Sequence, residues 1–228
     1  MENKKLVQCE IEHHATLFAL FAKFTIESFA ERGEKIIFNA IEKYGHERGK
    51  RMAERAIRNG DSLDFINSQA YGEWVPKEGQ MEFGIIETEP EFVSKATRCE
   101  WCESWKKHNL LQYGKYYCVN IDSAVFNGFN ENFHMTVSSN LSFGADRCEF
   151  HFGHAMSDED MVKLSQKRAE LGTSCTRDFN FHTAHLLNSI SETLISELGE
   201  EGKVIINKVL EGYVALFGRE YLEVLEEK

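Results

Sequence analysis

The two ends of this chain match each other. Displacing the 228-residue sequence on itself by 169 residues lays His13 on His182, Ala15 on Ala184, Leu17 on Leu186 and Glu31 on Glu200. Gly33 then falls on Gly202, Ile36 and Ile37 on Ile205 and Ile206, Tyr44 on Tyr213 and Gly49 on Gly218. A shared amphipathic pattern explains the aliphatic coincidences, but not the glycines, the tyrosine and the histidine. The match reads as a helical repeat, with two unrelated amphipathic hairpins as the alternative. Helical hairpins at both ends leave only the middle of the chain for a sheet, so the expected fold class is α+β: an antiparallel sheet flanked by N-terminal and C-terminal helical hairpins.

Local patterns fill in this frame. Apolar residues recur at helical spacing from Leu17 to Phe29 and from Ile36 to Tyr44, which predicts two helices broken near Gly33. The helical signal continues to Ile57, Gly60-Asp61 supplies the turn that ends it, and Ser62 is a candidate cap for the next segment. Residues 80 to 92, 93 to 98 and 133 to 152 alternate apolar with polar and read as strands. Trp105 to Tyr113 and Val119 to Phe126 read as short helices. Ser157 is a plausible N-cap for a helix to Leu171, and helical periodicity resumes from Asn180 to Leu225. We expect a single domain over 1–228, with 1–60 helical, 61–155 mixed and 156–228 helical.

Composition narrows the function classes. With 42% hydrophobic residues and 17 Phe the chain has material for a sizeable apolar interior. The net charge of −11 repels phosphate backbones, so nucleic acid is not an expected partner. The basic run Arg48, Lys50, Arg51, Arg55 and Arg58, diluted by Glu47 and Glu54, reads as a solvated helix face or as a patch that steers a small carboxylate. The N-terminus has no apolar leader and no later stretch is long and apolar enough to span a membrane, so a cytoplasmic protein with no membrane partner is expected. In that compartment the six cysteines are expected as thiols.

The reactive residues gather between Cys99 and Phe152. Cys118 and Asp122 are four apart, a spacing that on a helix puts thiol and carboxylate on one face. Asp122 would activate water, and Cys118 would act as a nucleophilic thiolate if a nearby cation lowered its pKa. Against this stands a buried cysteine beside a turn-capping aspartate. Cys99, Cys102, Cys118 and Cys148 make four thiols, but Cys118 and Cys148 are thirty apart rather than a close pair, which argues against zinc. His151 and His154 would point to opposite strand faces, and His182 and His185, with His13 and His14, are more simply core histidines. No metal and no cofactor is therefore expected. Gly128-Phe129-Asn130 reads as a turn, or as a turn whose Asn130 offers its amide to a substrate.

Taken in order, Cys99, Cys118-x-x-x-Asp122, Gly128-Phe129-Asn130 and Gly144-x-x-x-Cys148-x-Phe150 form a pattern that resembles the L-2-amino-thiazoline-4-carboxylic acid hydrolase family. The helix-like Gly45-His-Glu-Arg48-Gly49-Lys-Arg-Met-Ala53 is also similar to an Arg-Gly stretch of that family. The resemblance implies a hydrolase that opens a small cyclic amidine or thiazoline-type heterocycle at a C–N bond. It implies Cys118 and Asp122 as catalytic residues and Cys99, Asn130 and Cys148 near the substrate; among the histidines, His14 is separately expected near a substrate. The stretch from Gly144 to Phe150 is also similar to the end of the vinyl-reductase-type small-molecule-binding domain, though Asn140 stands where that domain has a metal-binding cysteine. The alternative function is thus a non-catalytic, sensor-like binding domain, and a homodimer is a candidate assembly for either.

Overall fold

The computed structural model describes residues 7–226. The fold is α+β, nine helices with one four-stranded antiparallel sheet among the described residues. The chain separates into two compact units, each assembled from distant stretches of sequence. One contains the residues up to Ile41, Glu100–Val119 and those from Asp178 onward; the other contains Glu42–Cys99 and Asn120–Arg177.

In the first unit, α1 (Ile11–Arg58) begins as a helix whose apolar face buries Ile11, Ala15, Leu17, Phe18 and Phe21. The break expected near Gly33 falls three residues earlier, at Ala30 (φ 47°, ψ −128°). Ala is no turn signal, so nothing in the sequence marks the position. Gly33 serves the reversal differently: a Cβ there would lie 2.5 Å from the Thr25 carbonyl oxygen, so the two limbs can close only over a glycine. At the other end of the chain, α7 (Phe179–Leu198) and α8 (Glu200–Phe217) turn at Gly199 (φ 57°, ψ −122°), and a Cβ on Gly202 would strike the Leu194 carbonyl. Ala30 and Gly199 are 169 residues apart, the displacement that aligns the two ends of the sequence.

Between these hairpins in the chain come α3 (Glu100–Lys107), α4 (Leu111–Gly114) and a 3-10 turn at Tyr117–Val119. The fully buried Trp105 rests on the backbone of Gly114, and its indole N–H donates to the Ala15 carbonyl at 2.8 Å. Burial of a side chain of this size is worth about 3 kcal/mol, and the hydrogen bond removes the penalty its N–H would otherwise carry. The final helix, α9 (Arg219–Glu226), stacks Tyr221 on His13 with ring centroids 4.3 Å apart.

In the second unit, β1 (Met81–Glu87), β2 (Val93–Cys99), β3 (Thr136–Ser139) and β4 (Cys148–His151) are arranged β1-β2-β4-β3 with every pair antiparallel. The strand periodicity located this sheet correctly, although 133 to 152 holds two short strands with a 3-10 turn between them. The core gathers Phe65, Phe92, Phe129, Phe133 and Phe152 with Met52, Met135 and Met156. Two more helices complete the unit's packing. Short α2 (Phe65–Ala70) is capped by Asp64 rather than Ser62, whose hydroxyl instead donates to the Asp64 carboxylate at 2.6 Å. α6 (Asp158–Leu171) starts at Ser157 in a reciprocal capping box with Asp160, as its sequence predicts.

Candidate active site

The candidate site in the second unit is built on a helix crossing. α5 (Ile121–Phe129) lies across the later limb of α1 at a distance only glycines permit. A Cβ on Gly45 would come within 2.5 Å of the Ala124 Cβ, one on Gly49 within 2.6 Å of the Phe129 nitrogen, and one on Gly128 within 2.5 Å of the His46 oxygen. Gly45 and Gly49 are four apart and share a helix face, so this single contact accounts for both glycines of the Arg-Gly stretch and for the glycine of Gly-Phe-Asn. Phe129 then enters the core, 2% exposed.

Arg48 lies between the two crossing glycines in sequence and is buried. With Arg51 and Arg55 it occupies positions one and two turns apart, and all three guanidinium groups converge on Glu73, whose side chain has no exposure at all. Arg51 makes a two-pronged contact, Nε to Oε1 at 2.7 Å and Nη2 to Oε2 at 2.8 Å. Arg55 Nη1 donates to Oε1 at 2.8 Å and to the Cys175 carbonyl at 3.1 Å, while Arg48 Nε reaches Oε2 at 3.4 Å. The Glu73 backbone carbonyl is itself held by the Arg177 N–H at 2.8 Å. The reading of this run as a solvated face fails for Arg48, Arg51 and Arg55 and holds only for Lys50 and Arg58, which are exposed. Their spacing was visible in the sequence; Glu73, with no motif around it, was not.

Asp122 sits in the first turn of α5. It keeps part of its surface accessible, yet loss of solvation pushes its carboxyl up to about 6, against the lowering pull of the Arg48 guanidinium. Such a group is half ionised near pH 6 and can both take and return a proton. Asn120, two residues upstream, caps nothing with its side chain: its Oδ1 accepts from the Ser123 hydroxyl at 2.8 Å, and its buried Nδ2 has no partner among the described residues.

The other residues singled out by sequence are more scattered. Cys118 is in the 3-10 turn and Asp122 in α5, with Asn120 (φ −141°) interrupting the helix between them. The single helix face inferred from their four-residue spacing therefore does not exist. Gly128 and Phe129 are the last residues of α5 rather than a turn, held there by the close crossing, and Asn130 is the C-cap: its Nδ2 donates to the Leu63 carbonyl at 2.8 Å and its Oδ1 accepts from the Asn132 N–H at 3.0 Å. Cys148 is buried in β4, where its sulfur accepts from the Leu141 N–H at 3.4 Å and braces the turn that Gly144 (φ 90°) closes. Cys99 ends β2 opposite Met81, partly exposed.

His14 is buried in the first unit, its Nε2 lying 3.3 Å from the Tyr117 hydroxyl and its ring edge-on to Trp101, Tyr117 and Phe179. His151 meets Glu91 at 3.3 Å and Glu149 at 3.2 Å, whereas His154 stacks on Phe65. The two do not share a site, but strand alternation is not the reason: β4 ends at His151, and His154 lies beyond the bend at Gly153. None of the six cysteines forms a disulfide among the described residues. No three His, Cys, Asp or Glu side chains converge as metal ligands among the described residues. None of the described helices is long and apolar enough to cross a membrane.

No curated protein and no solved structure matches the chain. A family model does, over residues 8–152, a span that contains the glycine crossing, the arginine cluster with Glu73, Asp122 and the whole sheet. That match covers well over half of the sequence, and the chain belongs to the L-2-amino-thiazoline-4-carboxylic acid hydrolase family.

Proposed function

We propose that the protein is a hydrolase that opens a small heterocycle of the cyclic amidine or thiazoline type, bearing a carboxylate, with Asp122 as the proton-transfer group. What supports this reading is the placement of Asp122 in the first turn of α5, on the helix that crosses the limb of α1 bearing the buried Arg48, where loss of solvation pushes its carboxyl up to about 6. General acid–base catalysis works best with a group whose pKa lies near the working pH, and ordinary aspartates lie about two units too low. Ionised Asp122 would take a proton from water as its oxygen adds to the amidine carbon. The tetrahedral adduct then collapses with cleavage of the ring C–N bond, and protonated Asp122 returns the proton to the departing nitrogen. Arg48 supplies the positive charge that a carboxylate substrate needs, and the Asn120 amide is a donor for the oxygen that gains charge.

Cys118 is the second catalytic candidate. A thiolate attack on the amidine carbon would precede hydrolysis of the covalent adduct, and the acidity of Asp122 favours direct water attack instead. Chromatography and mass spectrometry of 2-aminothiazoline-4-carboxylate and related cyclic amidines would show a product 18 mass units heavier. On the direct route Asp122→Asn lowers turnover by roughly two to four orders of magnitude, the usual worth of a positioned acid or base, whereas Cys118→Ser retains most of it. Full activity of Asp122→Asn removes the proposal; loss of activity in Cys118→Ser with an intact fold moves the nucleophile to the thiol. Cys99 and Cys148, both in the second unit, remain proposed substrate neighbours, tested by Ala variants in the same assay.

A further inference from the structure

We infer that β1 docks a second copy of this chain, strand edge to strand edge and antiparallel, with Phe83 on the two-fold axis. The inference is independent of the hydrolase reading and starts from the place of β1 in its sheet. β1 is the outermost strand of the order β1-β2-β4-β3, so one of its sides has no strand beside it among the described residues. Main-chain N–H and C=O groups along such an edge are a template for another strand, and lysine or proline commonly blocks it. β1 carries neither, and it presents Phe83 and Ile85 to solvent, 59% and 48% exposed.

These two side chains belong to one face. Phe83 pairs with Ala96 and Ile85 with Ser94, and those pair in turn with Cys148 and Phe150. The core of the unit packs against this face at Phe150 and Val137 but takes in no residue of β1. The apolar surface therefore runs out to the open edge uncovered.

The opposite face supplies the charge that selects the occupant. A Cβ on Gly84 would lie 3.0 Å from Lys95 Cε and 3.6 Å from its Cγ, so the lysine stem crosses from β2 over the bare side of Gly84. Lys95 makes no hydrogen bond or ion pair among the described residues. Glu82 accepts from the Thr97 hydroxyl at 3.0 Å through one oxygen of its carboxylate, which puts it on the same face as Lys95. A two-fold axis at Phe83 sets Glu82 of each copy opposite Gly84 of the other, beside the lysine that lies over it, and sets Met81 opposite Ile85. An axis at Glu82 would bring two acids face to face, one at Gly84 would set Glu82 against Ile86, and one at Ile85 would set Phe83 against Glu87. Only the Phe83 axis matches charge with charge and apolar with apolar, and it does so with the same strand on both sides.

Sedimentation velocity of the full chain across the micromolar range tests this. The wild type is expected to show a concentration-dependent equilibrium between monomer and dimer. Phe83→Asp is expected to raise the dissociation constant at least tenfold, while its melting temperature matches that of wild type at a dilution where both are monomeric. Ile85→Asp probes the same face should Phe83→Asp not fold. Glu82→Lys and Lys95→Glu should each weaken the dimer, and the double variant Glu82→Lys with Lys95→Glu should restore it. A wild type that stays monomeric at the highest concentration, or a dimer that Phe83→Asp and Ile85→Asp leave unchanged, overturns the inference. A double variant as weak as either single one overturns the pairing of Glu82 with Lys95 and with it the axis at Phe83.

Discussion

Replacing Asp122 by Asn should inactivate the protein and stabilise it, and the stabilisation should depend on pH in a way set by one group. The Asp122 carboxyl stands at about 6 in the folded chain against an ordinary 3.8. Because the folded value is the higher, the native state binds this proton more tightly than the unfolded chain does. Wild-type stability is therefore lost as pH rises through the window from 3.8 to about 6, and the deficit is constant above it. Two pH units correspond to about 3 kcal/mol at most. The side chain keeps some accessible surface, and solvent screening reduces the expectation to about 1–2 kcal/mol. Asn mimics the protonated acid and does not carry the deficit. Urea titrations of both proteins between pH 4 and 8 should give curves that coincide at the acidic end and separate by that amount above pH 6. A variant less stable than wild type at pH 7.5, or a difference that does not vary with pH, would refute the claim that Asp122 is held out of its preferred ionisation state.

Packing sets two further outcomes. Gly49→Ala forces a Cβ to within 2.6 Å of the Phe129 nitrogen, a backbone atom that cannot yield, so it should cost at least about 3 kcal/mol and separate α1 from α5. Gly212→Ala, in the middle of α8 with its nearest neighbours the Leu20 and Phe24 side chains at 3.5 Å, should instead gain about 1 kcal/mol from helix propensity; thermal melts of the two variants check both signs. Asn120→Ala deletes a buried amide nitrogen that has no partner among the described residues and an Oδ1 whose donor, the Ser123 hydroxyl, also reaches the Asn120 carbonyl at 3.1 Å, so stability should change by less than about 1 kcal/mol while turnover falls at least tenfold. A stability loss well beyond that with unchanged turnover would make Asn120 a structural residue.

Local chemistry was readable from sequence wherever one residue type has one physical reason to be where it is. The strand pattern placed the sheet in the chain even though β1 leaves Phe83, Ile85 and Ile86 exposed, and Ser157 announced its helix because a hydroxyl three residues before a carboxylate can satisfy two end groups at once. The family pattern was readable for the same reason: Gly128, Gly144 and Cys148 are each fixed by a close approach or a turn that few side chains tolerate. Sequence also drew attention to Asp122, but by an incorrect argument, since Asn120 breaks the helix that was to align it with Cys118.

What only the tertiary structure decided is everything that depends on a distant partner. The reversal at Ala30 arises from packing between the limbs, and alanine carries no mark of it. Arg48, Arg51 and Arg55 look like any exposed basic face until Glu73 closes over them. The acidity of Asp122 is likewise invisible along the chain, because desolvation depends on how much protein surrounds a group and not on which residues adjoin it in sequence.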